Sequence, residues 1–348
     1  MKYAPLAMVC SAVIISACAD KPAYQKISGE TMGTSYHISY QHPDASISQA
    51  AIQADIDKRL NDINASMSTY IDDSTISKFN RLPSATPLEI DADFIKVLSD
   101  SQAIFQASNH AFDPTVLPLV ELWGFGGKMS VERLQAPPSS DEITAAKALI
   151  GLDKVSLNGN QLSKSVDGVG LDFSAIAKGY AVDVIANTLR DNYGITNYMV
   201  EIGGEVATSG SNDKSQPWTL AIDAPVIDSS VSNRSTITTL TQPKDGTLHI
   251  ATSGGYRNSV EYNGVRYSHT INPNTGNPVA GNAPSVTVLH DTVSLADGWA
   301  TALTALPYDD ALKLANAQNI QAIFVIENAS KTGFDIVKTD AIIAKFGQ

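Results

Sequence analysis

Residues 155–189 read VSLNGNQLSKSVDGVGLDFSAIAKGYAVDVIANTL and set two local grammars side by side. Residues 155 to 171 are short strand-like runs broken by Asn158-Gly159 and Asp167-Gly168, the two-residue turns that hairpins favour. From about Ser174 to Leu189 the pattern changes to a helix, stopped by Gly194. The same mixture recurs outward along the chain. Ser259–Tyr262 and Val265–Ser268 flank Asn263-Gly264, a strong hairpin signal. Ile52, Ile56, Leu60 and Ile63 fall on one face of an amphipathic helix. Further helices are expected at about Asp91 to Gln106, Asp141 to Ile150 after the Pro137-Pro138-Ser139-Ser140 loop, and Leu295 to Leu306 before Pro307. Strands and helices do not alternate as βαβ units, so the predicted class is α+β, with largely antiparallel sheets and packed helices. Residues 224 to 247, rich in Ser, Thr and Asp, read as a surface loop.

The chain has 348 residues, 43% of them hydrophobic and 17% charged, enough for one large globular domain or two small fused ones. Its start is different in kind. Lys2, an apolar run from Ala4 to Ile15 and then Ser16-Ala17-Cys18 form a secretory signal too short for a membrane span. Cys18 after Ile-Ser-Ala resembles a bacterial lipobox, in which the thiol is acylated and becomes the new N-terminus. The predicted organisation is a lipoprotein signal peptide at 1–17, a lipidated Cys and tether at 18–27, and a catalytic domain at 28–348. The protein is then expected to be exported and anchored by lipid, facing the periplasm at the inner membrane. Only Cys10 and Cys18 are present, so no disulfide survives processing. The net charge is −12, and removal of residues 1–17 takes away one positive charge to leave −13. So acidic a chain disfavours nucleic acid as a partner, and leaves membrane attachment to the anchor.

Several short motifs carry polar chemistry. In Asp172–Gly179, Asp172 or Ser174 can cap the helix, whose first N–H groups suit phosphate or carboxylate, and Asp172, Ala175 and Lys178 recur at spacings of three. An ordinary capped helix with a solvated Lys fits the same residues. Asp297 and Thr301 stand one helical turn apart and offer two hard oxygen ligands, as Mg2+ prefers; an N-cap Asp with a self-bonded Thr is the other reading. Thr252-Ser253-Gly254-Gly255-Tyr256 suggests a tight turn able to seat phosphate. His269, where a strand gives way to Asn272-Pro273-Asn274-Thr275-Gly276, is placed for general-base work near neutral pH, or for a structural hydrogen bond. Met32 and Tyr70 could sandwich a flat ring, and Ala111-Phe112-Asp113-Pro114-Thr115 and Leu122-Trp123-Gly124-Phe125-Gly126 are equally open.

Taken in order, eight motifs resemble those of the ApbE family of FAD:protein FMN transferases: Met32–Thr34, Met67–Tyr70, Phe112–Thr115, Asp172–Gly179, Gly203-Gly204, Thr252–Gly254, Ser268–Gly276 and Ala296–Thr301. The resemblance spans about residues 28 to 343. It implies an FAD site with contacts from Met32, Tyr70, Ala111, Phe112, Asp113, Asp172, Lys178 and Ile271, joined by Thr252, Ser253, Gly254 and His269. It implies Mg2+ held by the Ala175 carbonyl, Asp297 and Thr301. It also implies transfer of FMN from FAD to a Ser or Thr hydroxyl of an acceptor protein, with release of AMP. The acceptors implied are flavin-carrying subunits of sodium-pumping NADH:quinone reductase or Rnf-type complexes. Catalytic roles fall to Asp297 and to His269 as base. Many relatives have Asp at Asn272, an acidic residue or Asn at Glu205 and Asp or Ser at Gly255, and some have a carboxylate at Ala300, so this chain has one possible metal ligand fewer. Two alternatives stay open: FAD hydrolysis to FMN and AMP by the same groups, and an FAD-binding lipoprotein without chemistry.

Overall fold

The computed structural model describes residues 23–42, 46–125, 135–226, 235–244, 246–255, 259–280, 285–330 and 332–347. The signal peptide and Cys18, together with Gly126 and Tyr256, lie outside these residues. In chain order the elements are β1 (Tyr24–Thr31), β2 (Thr34–Gln41), α1 (Gln49–Met67), α2 (Thr75–Arg81), β3 (Leu88–Glu89), α3 (Ala92–Ala107), α4 (Leu117–Trp123), α5 (Ser140–Lys147), β4 (Val155–Asn158), β5 (Gln161–Lys164) and α6 (Ala177–Tyr193). They continue as β6 (Asn197–Ile202), β7 (Glu205–Ser209), β8 (Thr219–Asp223), β9 (Thr236–Thr241), β10 (Thr247–Gly254), β11 (Ser259–Tyr262), β12 (Val265–Asn272), β13 (Asn277–Ala280), β14 (Ser285–Leu289), α7 (Val293–Thr304), α8 (Tyr308–Ala317), β15 (Gln321–Glu327), β16 (Phe334–Lys338) and α9 (Asp340–Phe346).

The main sheet has eight strands in the order β1-β2-β6-β7-β10-β14-β15-β16, every neighbouring pair antiparallel. This bears out the α+β expectation. Both faces of its centre are covered, which explains why Ser285–Leu289 is buried at every position instead of alternating. On one face Ala251, Val286, Val288 and Phe324 join a core with Ile52, Ile56, Leu60 and Ile63 of α1 and with α3, α6 and α7. On the other, Leu248, Ile250 and Ile323 meet Ile222 and Leu240 of the β8–β9 hairpin and Ile342 of α9. The period-two flip between Ile250 and Ala251 puts successive side chains into different cores.

Local chemistry explains most boundaries. Asn263 and Gly264, at φ of 52° and 72°, join β11 to β12 as the expected tight turn. In the β4–β5 hairpin, Asn158 pairs with Gln161, so the loop is Gly159-Asn160, one residue later than read, with the positive φ at Gly159. Asp167-Gly168 makes no hairpin. Asp167 instead accepts the Ser84 N–H at 2.6 Å, tying the loop after β5 to the end of α2. Tyr24–Ile27, expected in the tether, are already paired with β2. The loop expected over 224–247 contains β9, paired with β8.

Candidate active site

Two helices meet at the site through a glycine. Gly179, in the first turn of α6, packs so closely on α7 that a Cβ there would lie 2.4 Å from the Val293 carbonyl oxygen and 2.8 Å from Asp297 Cβ. Its N–H donates to Asp297 Oδ2 at 3.0 Å. That donation has a local consequence. In a regular helix the Gly179 N–H would serve the carbonyl four residues back, Ala175, but here no backbone N–H among the described residues reaches that oxygen. Asp297 is 4% exposed, and its recorded contacts, Gly179 N–H and Lys178 Nζ at 3.7 Å, both fall on Oδ2. Ala175, Asp297 and Thr301 line the same cleft. A carboxylate oxygen, a hydroxyl and a released carbonyl, all hard oxygen donors, are a set that fits Mg2+.

Lys178 is held between two carboxylates: 3.2 Å from Glu205 Oε1 and 3.7 Å from Asp297 Oδ2. Burial works against its charge, but Asp297 and Glu205 outweigh it and keep the ammonium protonated above the ordinary lysine range. Burial pushes both carboxylates up, opposed by Lys178 in each case and by the Gly179 N–H at Asp297. Glu205 starts β7 after the Gly203-Gly204 turn, where φ is 63° and 110°. Gly203 N–H donates to the Ser35 carbonyl at 3.1 Å, fixing that turn to β2.

The cleft has a volume of about 920 Å3, toward the large end of the roughly 300–1,000 Å3 range of small-molecule sites. Tyr70, 73% exposed, stands at it, as do Ala111, Phe112 and Asp113 from the segment between α3 and α4. Asp113 is buried and accepts both the N–H (2.8 Å) and the hydroxyl (2.6 Å) of Thr115, and burial raises its pKa. Opposite, Thr252, Ser253 and Gly254 line it from the end of β10, and His269 and Ile271 from β12. Ile271 also packs against Leu119 and Trp123.

Four expectations need correction. Neither Asp172 nor Ser174 caps α6: the helix begins at Ala177, with Ile176 at its cap and no side-chain bond. Asp172 accepts the Ser174 N–H at 2.8 Å in a turn of its own, and its N–H donates to the Pro114 carbonyl. Thr252–Gly254 is strand and not turn, paired antiparallel with Ser285–Thr287 of β14. Asp297 sits inside α7, whose cap is Thr292. Met32 is not in the cleft wall; it turns the β1–β2 hairpin at φ 50° and packs partly against the core.

Two polar groups that shape the cleft went unread. Asn80 clasps the Leu171 backbone, donating to its carbonyl at 2.9 Å and accepting its N–H at 2.7 Å, one residue before Asp172. Lys164, 2% exposed, donates to the carbonyls of Asn80 and Val169 at 2.9 and 2.7 Å. Asn80 follows the Met67–Tyr70 cluster without a role legible in the sequence, Lys164 sits in no motif, and only the fold brings 80 beside 171. Glu205 did leave a signal, an acidic residue directly after Gly-Gly.

Fold and cleft together define the class: an antiparallel α+β enzyme with a cleft lined by two carboxylates, an ammonium and a released backbone carbonyl. The chain belongs to the ApbE family, whose model matches residues 32–324. An FAD:protein FMN transferase of Vibrio cholerae is 38% identical over 323 residues, covering 92% of this chain and 93% of that protein. That of Haemophilus influenzae is 38% identical over 325 residues, 91% of each. Among solved structures, the flavinyl transferase ApbE of Pseudomonas stutzeri in its apo form superposes with a TM-score of 0.82 at 32% identity, covering 94% of this chain and 98% of that one. The flavin transferase ApbE of Vibrio cholerae gives 0.78 at 35%, covering 93% and 99%.

Proposed function

We propose that this chain transfers FMN from FAD to a Ser or Thr hydroxyl of an acceptor protein, releasing AMP, with Mg2+ held by the Ala175 carbonyl, Asp297 and Thr301. The observation that carries the reading is the Gly179–Asp297 bond, which brings the two motif helices into one cleft and releases the Ala175 carbonyl beside a buried carboxylate. When bound, the cation supplies Lewis-acid neutralisation of the diphosphate oxygens. Lys178 adds a fixed ammonium on the same wall, where it holds a phosphate oxygen in place. Tyr70 and Phe112 give the cleft aromatic surface for the flavin ring, and Thr252 and Ser253 offer hydroxyl donors to the phosphates. His269, exposed on β12, takes the proton from the attacking hydroxyl. Positioning and charge neutralisation are the main contributions a protein makes to such a displacement.

The acceptors proposed are flavin-carrying subunits of membrane redox complexes, sodium-pumping NADH:quinone reductase or Rnf-type. Anchoring through Cys18 at the periplasmic side of the inner membrane would place the enzyme beside them. No helix of the described residues is long and apolar enough to cross a membrane, which leaves attachment to the acyl chains.

The test incubates mature protein with FAD, Mg2+ and an acceptor domain and reads flavin fluorescence on the acceptor in a denaturing gel. AMP with an unlabelled acceptor favours hydrolysis, and no AMP at all refutes enzymatic action. Asp297→Ala is expected to abolish labelling with the fold retained; normal turnover by it removes the metal site. His269→Ala is expected to slow transfer far more than it weakens FAD binding, and equal loss of both makes His269 a binding residue. Cys18→Ser is expected to leave the membrane fraction, and unchanged sedimentation refutes the anchor.

A further inference from the structure

Glu205 is a cleft carboxylate to which the reading above gives no task. Its side chain is 4% exposed, Oε1 meets Lys178, and Oε2 has no hydrogen-bond partner among the described residues. Lys178 is shared unequally, 3.2 Å from Glu205 and 3.7 Å from Asp297. The ammonium therefore leans away from the oxygen set that fits the cation. Asp297 Oδ2 already accepts the Gly179 N–H, and neither recorded contact falls on Oδ1.

We infer that Glu205 is a positioning residue that holds the Lys178 ammonium off Asp297, so that Asp297 keeps an open oxygen for the divalent cation. The inference rests on the metal reading of the proposed function. An ammonium and a divalent cation compete for the same carboxylate, since each is stabilised by the negative charge the other neutralises. With Glu205 neutral, Asp297 is the only anion left to Lys178 in this cluster, and the ammonium closes onto it. With Glu205 charged, Lys178 has an alternative partner whose second oxygen has no competing donor. When a cation reaches Asp297, repulsion drives the ammonium further toward Glu205, and Oε2 is there to receive it.

The test needs no turnover. FAD-free mature protein is titrated with Mn2+, which takes the same octahedral oxygen sites as Mg2+, and the free-Mn2+ paramagnetic resonance signal is followed. Four proteins are compared: wild type, Glu205→Gln, Lys178→Met and the double variant. In the wild-type background Glu205→Gln is expected to weaken Mn2+ binding by about tenfold or more, as loss of groups that orient a metal ligand does. In the Lys178→Met background the same change is expected to cost less than about twofold, because the residue through which Glu205 acts is gone. An equal loss in both backgrounds means that Glu205 acts by charge alone and overturns the inference. Should Glu205→Gln fail to fold, Glu205→Asp carries the test, keeping the charge but shortening its reach: weakened Mn2+ binding supports positioning, unchanged binding overturns it. Wild-type protein that takes up no Mn2+ sinks the metal reading and this inference together, whereas wild-type uptake with an additive cycle sinks the inference alone.

Discussion

Replacing Gly179 by alanine tests whether the two site helices are locked. The new Cβ would lie 2.4 Å from the Val293 oxygen, 2.7 Å from the Val293 carbonyl carbon and 2.8 Å from Asp297 Cβ. Relief to an ordinary contact near 3.5 Å needs a shift of about 1 Å. Neither side yields easily. Val293 and Ser294 N–H groups donate to Asp183 of α6 at 2.9 and 2.8 Å, and the Ser294 hydroxyl to Asp100 of α3 at 3.0 Å, so the start of α7 is pinned from two helices. Overpacking of this kind costs about 1–3 kcal/mol, and stretching the Gly179–Asp297 bond adds up to about 1.5 kcal/mol for a charged acceptor. Alanine returns about 1 kcal/mol of helix propensity. With the bond lost in full the net cost is about 1.5–3.5 kcal/mol, or roughly 3–14 °C in Tm at about 2–4 °C per kcal/mol for a large domain. Misplacing Asp297 by about 1 Å is expected to slow flavin transfer about 100-fold. Differential scanning fluorimetry reads the first effect and in-gel flavin fluorescence the second. A variant with wild-type Tm and transfer within twofold refutes the locking, and one that loses stability but keeps its rate refutes the link from packing to Asp297.

Tyr70→Ala is expected to weaken FAD binding about tenfold, since stacking on an aromatic ring is worth about 1–3 kcal/mol, while Tm stays put because the side chain is 73% exposed; unchanged affinity in a flavin-fluorescence titration removes the stacking role. Two buried histidines should contribute a loss of stability on mild acidification, against the raised carboxyl of Glu205, which works the other way. Burial lowers the pKa of His249 and His290 below the ordinary 6.5, so the unfolded chain binds more protons than the fold, and stability present above pH 6.5 is lost as pH drops through it. From pH 7 to 6 the pair accounts for no more than about 1.4 kcal/mol. Asp183, pushed by burial from 3.8 to about 6, works the other way at lower pH, gaining stability as pH falls from about 6 toward 4. Urea unfolding at pH 7 and 6 should show wild type faring worse on acidification than His249→Gln; an equal or opposite difference contradicts the assignment.

What could be read from the chain was local. The α1 stripe of Ile52, Ile56, Leu60 and Ile63 is fully in the core, and Asn263-Gly264 turns its hairpin, because each answers to spacing or to φ alone. Errors arose where distant backbone took over. Thr252–Gly254 has turn-forming composition, yet β14, more than thirty residues further along the chain, recruits it into an antiparallel ladder. Asp172 has the right chemistry for a cap, yet its N–H is committed to the Pro114 carbonyl and its neighbour Leu171 to Asn80, and the chain turns once through Ser174–Ile176 before the helix begins at Ala177. Met32 belongs to a recognisable motif, but the motif is legible as a turn before it is legible as a contact.

The site itself was legible as residue types and illegible as an arrangement, and the reason is specific. Asp297 and Thr301 on one helix and Ala175 and Lys178 at the start of another are each ordinary for their positions. Their chemistry depends on one backbone donor, Gly179 N–H, being taken from its own helix by a carboxylate 118 residues away. That transfer anchors Asp297 and releases the Ala175 carbonyl at a single stroke, and only a residue without a side chain allows the approach. Lys178 and Glu205 repeat the pattern between residues far apart in sequence, with a glycine turn bringing the partner to the cleft wall. In both cases the small residue, and not the charged one, determines whether a motif is a surface helix or a site.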